Sequence, residues 1–215
     1  MFDNVKRKER VAKKIFICYH IYMRFINVKF IKSASKKEEF IVDELSQIAI
    51  VGRSNVGKSS LINLLTNNSK MAKTSSTPGR TRLVNYFNVN NQFYVVDLPG
   101  YGYHKASKSI ANAWDAVMND YFSENEKLKL VFVLLDCRIG ATDLDKQMLD
   151  YLAEYEIPAI IILTKADKIS RSEMGLMIAK ISKEIRFNKD LIVATSALKK
   201  QGVDRIENLM DEYLK

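Results

Sequence analysis

At 215 residues with 47% hydrophobic side chains, the chain is long enough to bury the core of one ordinary domain. Two cysteines, Cys18 and Cys137, with no CxxC pair or Cys/His cluster, argue against a disulfide framework and a zinc site. The net charge of +9 is concentrated at one end: residues 1–37 carry 11 Lys/Arg against Asp3 and Glu9, while residues 38–215 balance 23 basic with 23 acidic side chains. The bulk of the protein is therefore neutral, and any basic surface on it must come from local clustering.

The N-terminal arm opens with KRKERVAKK and continues into IFICYHIYM. This resembles an export signal, but no small-residue cleavage site follows. His20, Arg24 and Lys29 also interrupt the apolar run well short of the roughly 20 residues a membrane span needs. From Met23 the pattern changes to MRFINVKFI, in which Phe25, Val28 and Phe30 alternate with polar neighbours apart from an irregularity at Ile26–Asn27. This predicts a half-buried edge strand. Met23 is expected to be the true start, with residues 1–22 a disordered tail or a misassigned extension and residues 23–215 a single domain.

Further along, apolar runs alternate with helical periodicity. Strands are predicted at 47–52, 83–89, 92–97, 128–136, 158–164 and 190–195, several of them continuous β-branched runs that suit a sheet covered on both faces. The intervening KSSLINLLT, SIANAWDAVMNDYF, DLDKQMLDYLAEY and EMGLMIAKISKEI, and the final VDRIENLMDEYL, space apolar residues as amphipathic helices do. Asp143 and Ser172 are the expected N-caps. Asn90–Asn91 marks a tight hairpin between two strands. The prediction is an α/β domain with a mainly parallel six- or seven-stranded sheet, one antiparallel edge, helices on both faces, and ligands at the carboxyl ends of the strands.

The first of these strand ends runs into Gly52-Arg53-Ser54-Asn55-Val56-Gly57-Lys58-Ser59, a GxxxxGK[ST] match opening a helix. Backbone N–H groups there cradle phosphates, and Gly52 and Gly57 are expected to clear space for them. Lys58 reaches the β- and γ-phosphates and Ser59 offers its hydroxyl to Mg²⁺. The long polar stretch 67–83 lacks periodicity and is expected to be a switch, with Thr77 and Thr81 both chemically able to complete the Mg²⁺ shell. VVDLPG then places Asp97 at a strand end as a metal carboxylate, followed by Leu98, Pro99 and Gly100; the Gly100 N–H is positioned to sense the γ-phosphate. The next residue is Tyr101, where a glutamine would orient the attacking water in Ras-type enzymes.

Thr164-Lys165-Ala166-Asp167 ends another apolar strand. Asp167 can accept two hydrogen bonds from guanine, a pattern adenine lacks, and the Lys165 stem can lie across the base. Thr195-Ser196-Ala197 follows the last strand, where a backbone N–H can meet the guanine O6. Lys70, Lys73, Arg80, Arg82, Lys105 and Lys108 surround Tyr86, Tyr101 and Tyr103, with Asp97 as the sole acid between residues 70 and 108. That mixture suits phosphate contact and base stacking on RNA.

Four motifs in this order identify a Ras-like P-loop GTP-binding domain. GRSNVGKSSLIN, TSSTPGRTRLVNYF, VDLPGYGYHKASK and TKADKI resemble the EngB (YsxC/YihA) family of bacterial ribosome-biogenesis GTPases, over roughly residues 23–215. The resemblance favours Thr81 over Thr77 and places Gly79, Arg80, Arg82 and Leu83 beside the nucleotide. It also makes TKAD, with threonine for the commoner asparagine, a family feature. It implies Mg²⁺ and GTP/GDP as ligands and slow intrinsic hydrolysis to which Lys58, Asn55 and Thr81 contribute. Asn55 matches the position that binds K⁺ in related potassium-stimulated GTPases. The implied partners are the large ribosomal subunit precursor, its ribosomal RNA and ribosomal proteins, for a cytoplasmic monomer without stable membrane association and with a link to septation. The competing readings are a P-loop transferase, which lacks its arginine lid here, and a GTPase of membrane or division machinery acting through the basic arm.

Overall fold

The computed structural model describes residues 25–72, 83–102, 108–123 (backbone alone for 108–115) and 125–214. The expected tail 1–22 and the start at Met23 lie outside them. So do Gly79, Arg80, Thr81 and Arg82, the alternative Thr77, and Lys73, Tyr103 and Lys105.

Seven strands form one sheet: β1 (Val28–Ala34), β2 (Ser46–Gly52), β3 (Val84–Val89), β4 (Phe93–Asp97), β5 (Leu128–Asp136), β6 (Ala159–Thr164) and β7 (Ile192–Ala194). Their spatial order is β1-β3-β4-β2-β5-β6-β7. β3 pairs antiparallel with both β1 and β4, and the other pairings are parallel, so β3 alone runs against the remaining six. The antiparallel strand therefore sits one position in from the edge. β1 is the edge strand, beginning five residues later than Met23, with its register shift between Phe30 and Lys32 rather than at Ile26–Asn27. Residues 90–92 make the β3–β4 turn, with left-handed backbone at Asn90 and Asn91 (φ 55° and 57°) and the Gln92 N–H donating back to the Val89 carbonyl (2.9 Å).

β5 shows why its sequence is apolar from Leu130 to Leu135. Leu130, Phe132 and Leu134 enter one core, and Val131, Val133 and Leu135 enter the other. Side chains alternate across a strand, so a central strand covered on both faces has no polar side to show. On the Phe132 face pack Leu61, Ile62 and Leu65 of α1 (Lys58–Leu65) and Ile206, Leu209 and Met210 of α5 (Val203–Tyr213). On the opposite face pack Met118, Tyr121 and Phe122 of α2 (Lys108–Ser123), Leu149 and Leu152 of α3 (Asp143–Glu154), and Ile181 of α4 (Arg171–Glu184).

Two helix starts differ from expectation. Thr142, not Asp143, caps α3, and Asp145 reaches back to accept from the Thr142 N–H (2.9 Å) and hydroxyl (2.7 Å). Ser170, not Ser172, caps α4 with Glu173 as its reciprocal partner. Both are capping boxes, in which the acid three residues on decides the cap; choosing the nearest capping residue type to the apolar run misplaced it. Among the described residues, no helix is long and apolar enough to cross a membrane.

Candidate functional site

The carboxyl ends of β2, β4, β6 and β7 bring the four motifs to one edge of the sheet. β2 and β4 stay paired as far as Ile50 and Asp97, with the Leu98 N–H donating to the Ile50 carbonyl (3.1 Å). They part there and meet again in a single parallel bridge between Arg53 and Tyr101. The gap between these contacts is where the phosphate-binding and metal-binding candidates converge.

The P-loop turns from β2 into α1 with left-handed backbone at Asn55 (φ 62°) and Gly57 (φ 116°). Gly57 accounts for its own identity, since L side chains rarely adopt that conformation. Gly52 has a reason in the packing of the loop. A β-carbon there would come within 2.8 Å of Val56 Cγ1 and 3.0 Å of Leu134, so the packing of the loop onto β5 by itself demands glycine. Arg53, Ser54, Lys58 and Ser59 are half-buried, Asn55 is exposed and Val56 is buried.

Asp97 is 5% exposed, and its Oδ1 is buried with no hydrogen-bond partner among the described groups. Burial raises its carboxyl pKa above the ordinary value, opposed by the Lys58 charge and an Asn85 side-chain hydrogen bond. A buried carboxylate oxygen without a donor carries a free-energy cost that a divalent cation would relieve. Among the described residues no cluster of three His, Cys, Asp or Glu could hold a metal. The donor set of Asp97 and Ser59 fits a magnesium ion, which binds through one or two carboxylates and otherwise keeps water and phosphate oxygens. Leu98 and Pro99 are buried and Gly100 is half-buried.

The base end is tied together differently. Lys165, at left-handed φ 61°, extends its Nζ to the Asn55 carbonyl (3.0 Å) and to Asp136 Oδ2 (2.8 Å). Its stem thus spans from β6 to the P-loop. Asp136 also accepts from Arg138 Nε (2.9 Å) and its terminal guanidinium nitrogen (2.6 Å). The Arg138 hydrogen bonds, with help from Lys165, hold the Asp136 carboxyl well below the usual carboxylate range. Asp136 was not anticipated from the sequence; a strand ending in Asp followed two residues later by Arg was the available sign. Thr164 donates its hydroxyl to the Val56 carbonyl (2.7 Å), clamping the P-loop onto β6. A threonine in this motif therefore has a structural task of its own.

Asp167 accepts from the Ser196 hydroxyl (2.7 Å), which lowers its pKa together with the nearby Lys168. The Ala166 N–H donates to the Thr195 carbonyl (2.9 Å), locking the two base-side motifs together. The Ser196 N–H donates to the Gln201 carbonyl (3.2 Å), so the amide left to meet a guanine O6 is that of Ala197.

The aromatic–basic surface needs correction. Tyr86 is 0% exposed and Tyr101 is 4% exposed, so neither ring is available to stack on RNA. Tyr86 points into the core because β3 is covered by β1 and β4 on its two edges and by helices on that face. Lys70 is exposed, whereas Leu83 lies at the margin of the described stretch, exposed beside β3.

The match to the family model "50S ribosome-binding GTPase" covers residues 47–165, from β2 through Lys165. The EngB GTP-binding protein of Clostridium kluyveri is 44% identical over 196 residues, covering 89% of this chain and the whole of that one. That of Thermoanaerobacter pseudethanolicus is 40% identical over 191 residues, again 89% and the whole. In shape, the chain is similar to a crystallised EngB GTP-binding protein (TM-score 0.67, 23% identity, 79% of this chain and 98% of that one). It is also similar to Era in complex with MgGDPNP and nucleotides 1506–1542 of 16S ribosomal RNA (TM-score 0.63, 25% identity, 80% and 57%).

Proposed function

Since this chain belongs to the EngB family of GTP-binding proteins and is a GTPase, we propose that it is a switch in assembly of the large ribosomal subunit. In the GTP state it engages the immature particle through ribosomal RNA and ribosomal proteins, and hydrolysis releases it. The observation that carries this reading is the family itself, described as 50S ribosome-binding. A similar fold in Era is seen with a ribosomal RNA segment. On this reading the protein works as a cytoplasmic monomer, and any effect on septation follows indirectly from failed ribosome assembly.

The residues divide the chemistry among them. Lys58 neutralises the β- and γ-phosphates, and the P-loop amides orient them. Asp97 and Ser59, with Thr81 in the GTP state, would hold Mg²⁺, which supplies positive charge against the charge developing on the phosphates. Gly100 offers its N–H to the γ-phosphate. Asp167 and the Ala197 N–H read guanine while the Lys165 stem covers the base. Turnover is slow because Tyr101 occupies the glutamine position with its hydroxyl bound to Asp145 (2.8 Å), away from any attacking water. Asn55, exposed at the tip of the P-loop, is the candidate partner for a K⁺ ion that adds the missing charge.

Sucrose-gradient co-sedimentation with large-subunit particles tests the switch. Binding should be strong with a non-hydrolysable GTP analogue, weak with GDP, and should fall steeply with salt as phosphate contacts are lost. Equal sedimentation in both nucleotide states would refute the reading. Hydrolysis rates in matched K⁺ and Na⁺ buffers test Asn55: a faster rate in K⁺, lost in Asn55→Ala, is expected.

A further inference from the structure

Tyr101 is held from two sides. Its hydroxyl donates to Asp145 Oδ1 (2.8 Å), a carboxylate itself 1% exposed on the first turn of α3. The other oxygen of Asp145 accepts both the N–H and the hydroxyl of Thr142, so the acceptor is anchored before Tyr101 reaches it. Burial and the neighbouring carboxylate push the Tyr101 hydroxyl far above its ordinary range, which keeps it a donor throughout the physiological interval. The main chain of the same residue is tied to the P-loop. Its N–H donates to the Gly52 carbonyl (3.3 Å), and its carbonyl accepts the Ser54 N–H (3.2 Å).

Gly100 lies immediately before this double anchor. A β-carbon built on it would stand 3.1 Å from Lys58 Nζ and 3.3 Å from the Ser54 nitrogen. The glycine thus rests against the lysine that meets the outer phosphates. A loop whose ordering is settled before the ligand arrives lowers the entropy cost of binding it.

We propose that Tyr101 is a positioning residue for triphosphate recognition: its side chain, moored to Asp145 at the start of α3, holds Gly100 beside Lys58 so that the γ-phosphate meets a prearranged backbone N–H. This rests on the reading that Gly100 contacts the γ-phosphate. A nucleoside diphosphate has no group to reach that N–H, so the mooring discriminates GTP from GDP. It also gives the tyrosine a task where glutamine-type water chemistry is absent, and links the γ-phosphate sensor to α3 on the far side of the sheet from α1.

The test is equilibrium binding of fluorescent GDP and a non-hydrolysable GTP analogue to the full-length protein and three variants. Tyr101→Phe keeps the ring and removes one charge-assisted hydrogen bond. It should weaken the GTP analogue by about tenfold while GDP stays within about twofold. Asp145→Asn keeps an acceptor for Thr142 but makes it neutral, and should show the same selectivity at about threefold. Equal losses for both nucleotides, or none in either variant, would overturn the proposal, because a merely structural bond lowers both affinities together. Gly100→Ala separates the two layers. If it weakens the analogue and Tyr101→Phe does not, the γ-phosphate contact stands and the mooring falls. If it lowers the affinities for the analogue and for GDP equally, the added methyl acts through Lys58 and the loop rather than through a γ-phosphate contact, and that contact falls and takes the mooring with it.

Discussion

The phosphate end and the base end of this site are built from similar strand ends, yet one is left incomplete and the other is already satisfied. At the phosphate end Asp97 is buried with an oxygen that no described group donates to, and burial works against its charge. At the base end Asp136 and Asp167 have donors in place from Arg138, Lys165 and Ser196, and both are held as carboxylates. The difference follows from the ligands. A metal and phosphates bring enough charge to offset a buried carboxylate, whereas a neutral base can only exchange hydrogen bonds, so its pocket must be ordered beforehand.

The contrast can be broken most severely at Asp167. Asp167→Ala should weaken GTP by about 100-fold and narrow its advantage over ATP, because the guanine donors then lack acceptors in a closed site. Competition binding with both nucleotides measures this. A uniform loss without narrowed discrimination would place base reading elsewhere.

Asp97→Asn should have opposite effects on the two states of the phosphate end. The Mg²⁺-dependent part of GTP affinity falls by at least about tenfold. The nucleotide-free protein melts at an equal or higher temperature near pH 7. The sign follows from a folded-state pKa raised above the unfolded one: the charged carboxylate costs stability above the unfolded pKa, about 4, and the amide removes that cost. Calorimetry with and without nucleotide distinguishes this from general unfolding.

Asp136→Asn should do the reverse, lowering stability by about 1–2 kcal/mol at pH 7 and loosening Lys165. Its folded-state pKa lies below the unfolded value, so the stabilisation is complete above about pH 4 and fades as pH falls through the lowered folded value. The melting difference between wild type and variant should therefore shrink in acid. Ser196→Ala is the mildest change. It removes one donor from Asp167, and an affinity loss of about threefold to fivefold for GTP and GDP alike is expected.

Much of the architecture could be read from the chain. Continuous apolar runs marked β5 and β6 as central because alternation across two buried faces leaves no polar positions. Asn90–Asn91 marked the hairpin because both residues must adopt positive φ. The short β7, the offset of β1 and the caps at Thr142 and Ser170 were less legible. Each depends on partners distant in sequence, or on which of two neighbouring residues an acid turns back to meet.

The chemistry and order of the site motifs were determined locally: a strand running into a glycine-flanked loop with Lys58 and Ser59, an Asp at the end of β4, and an Asp after β6. Those residue types at those spacings carry their meaning before folding. What the tertiary structure alone decided is the state of each group. Tyr101 and Asp145 are 44 residues apart and bonded in the core; Thr164 clamps a P-loop 108 residues away; Gly52 is fixed by its packing against Leu134 of β5. Burial and hydrogen bonding across the sheet depend on which strands become neighbours, and no local pattern encodes that choice. Tyr101, which sequence alone reads as part of an aromatic surface, is thereby turned inward and moored to α3.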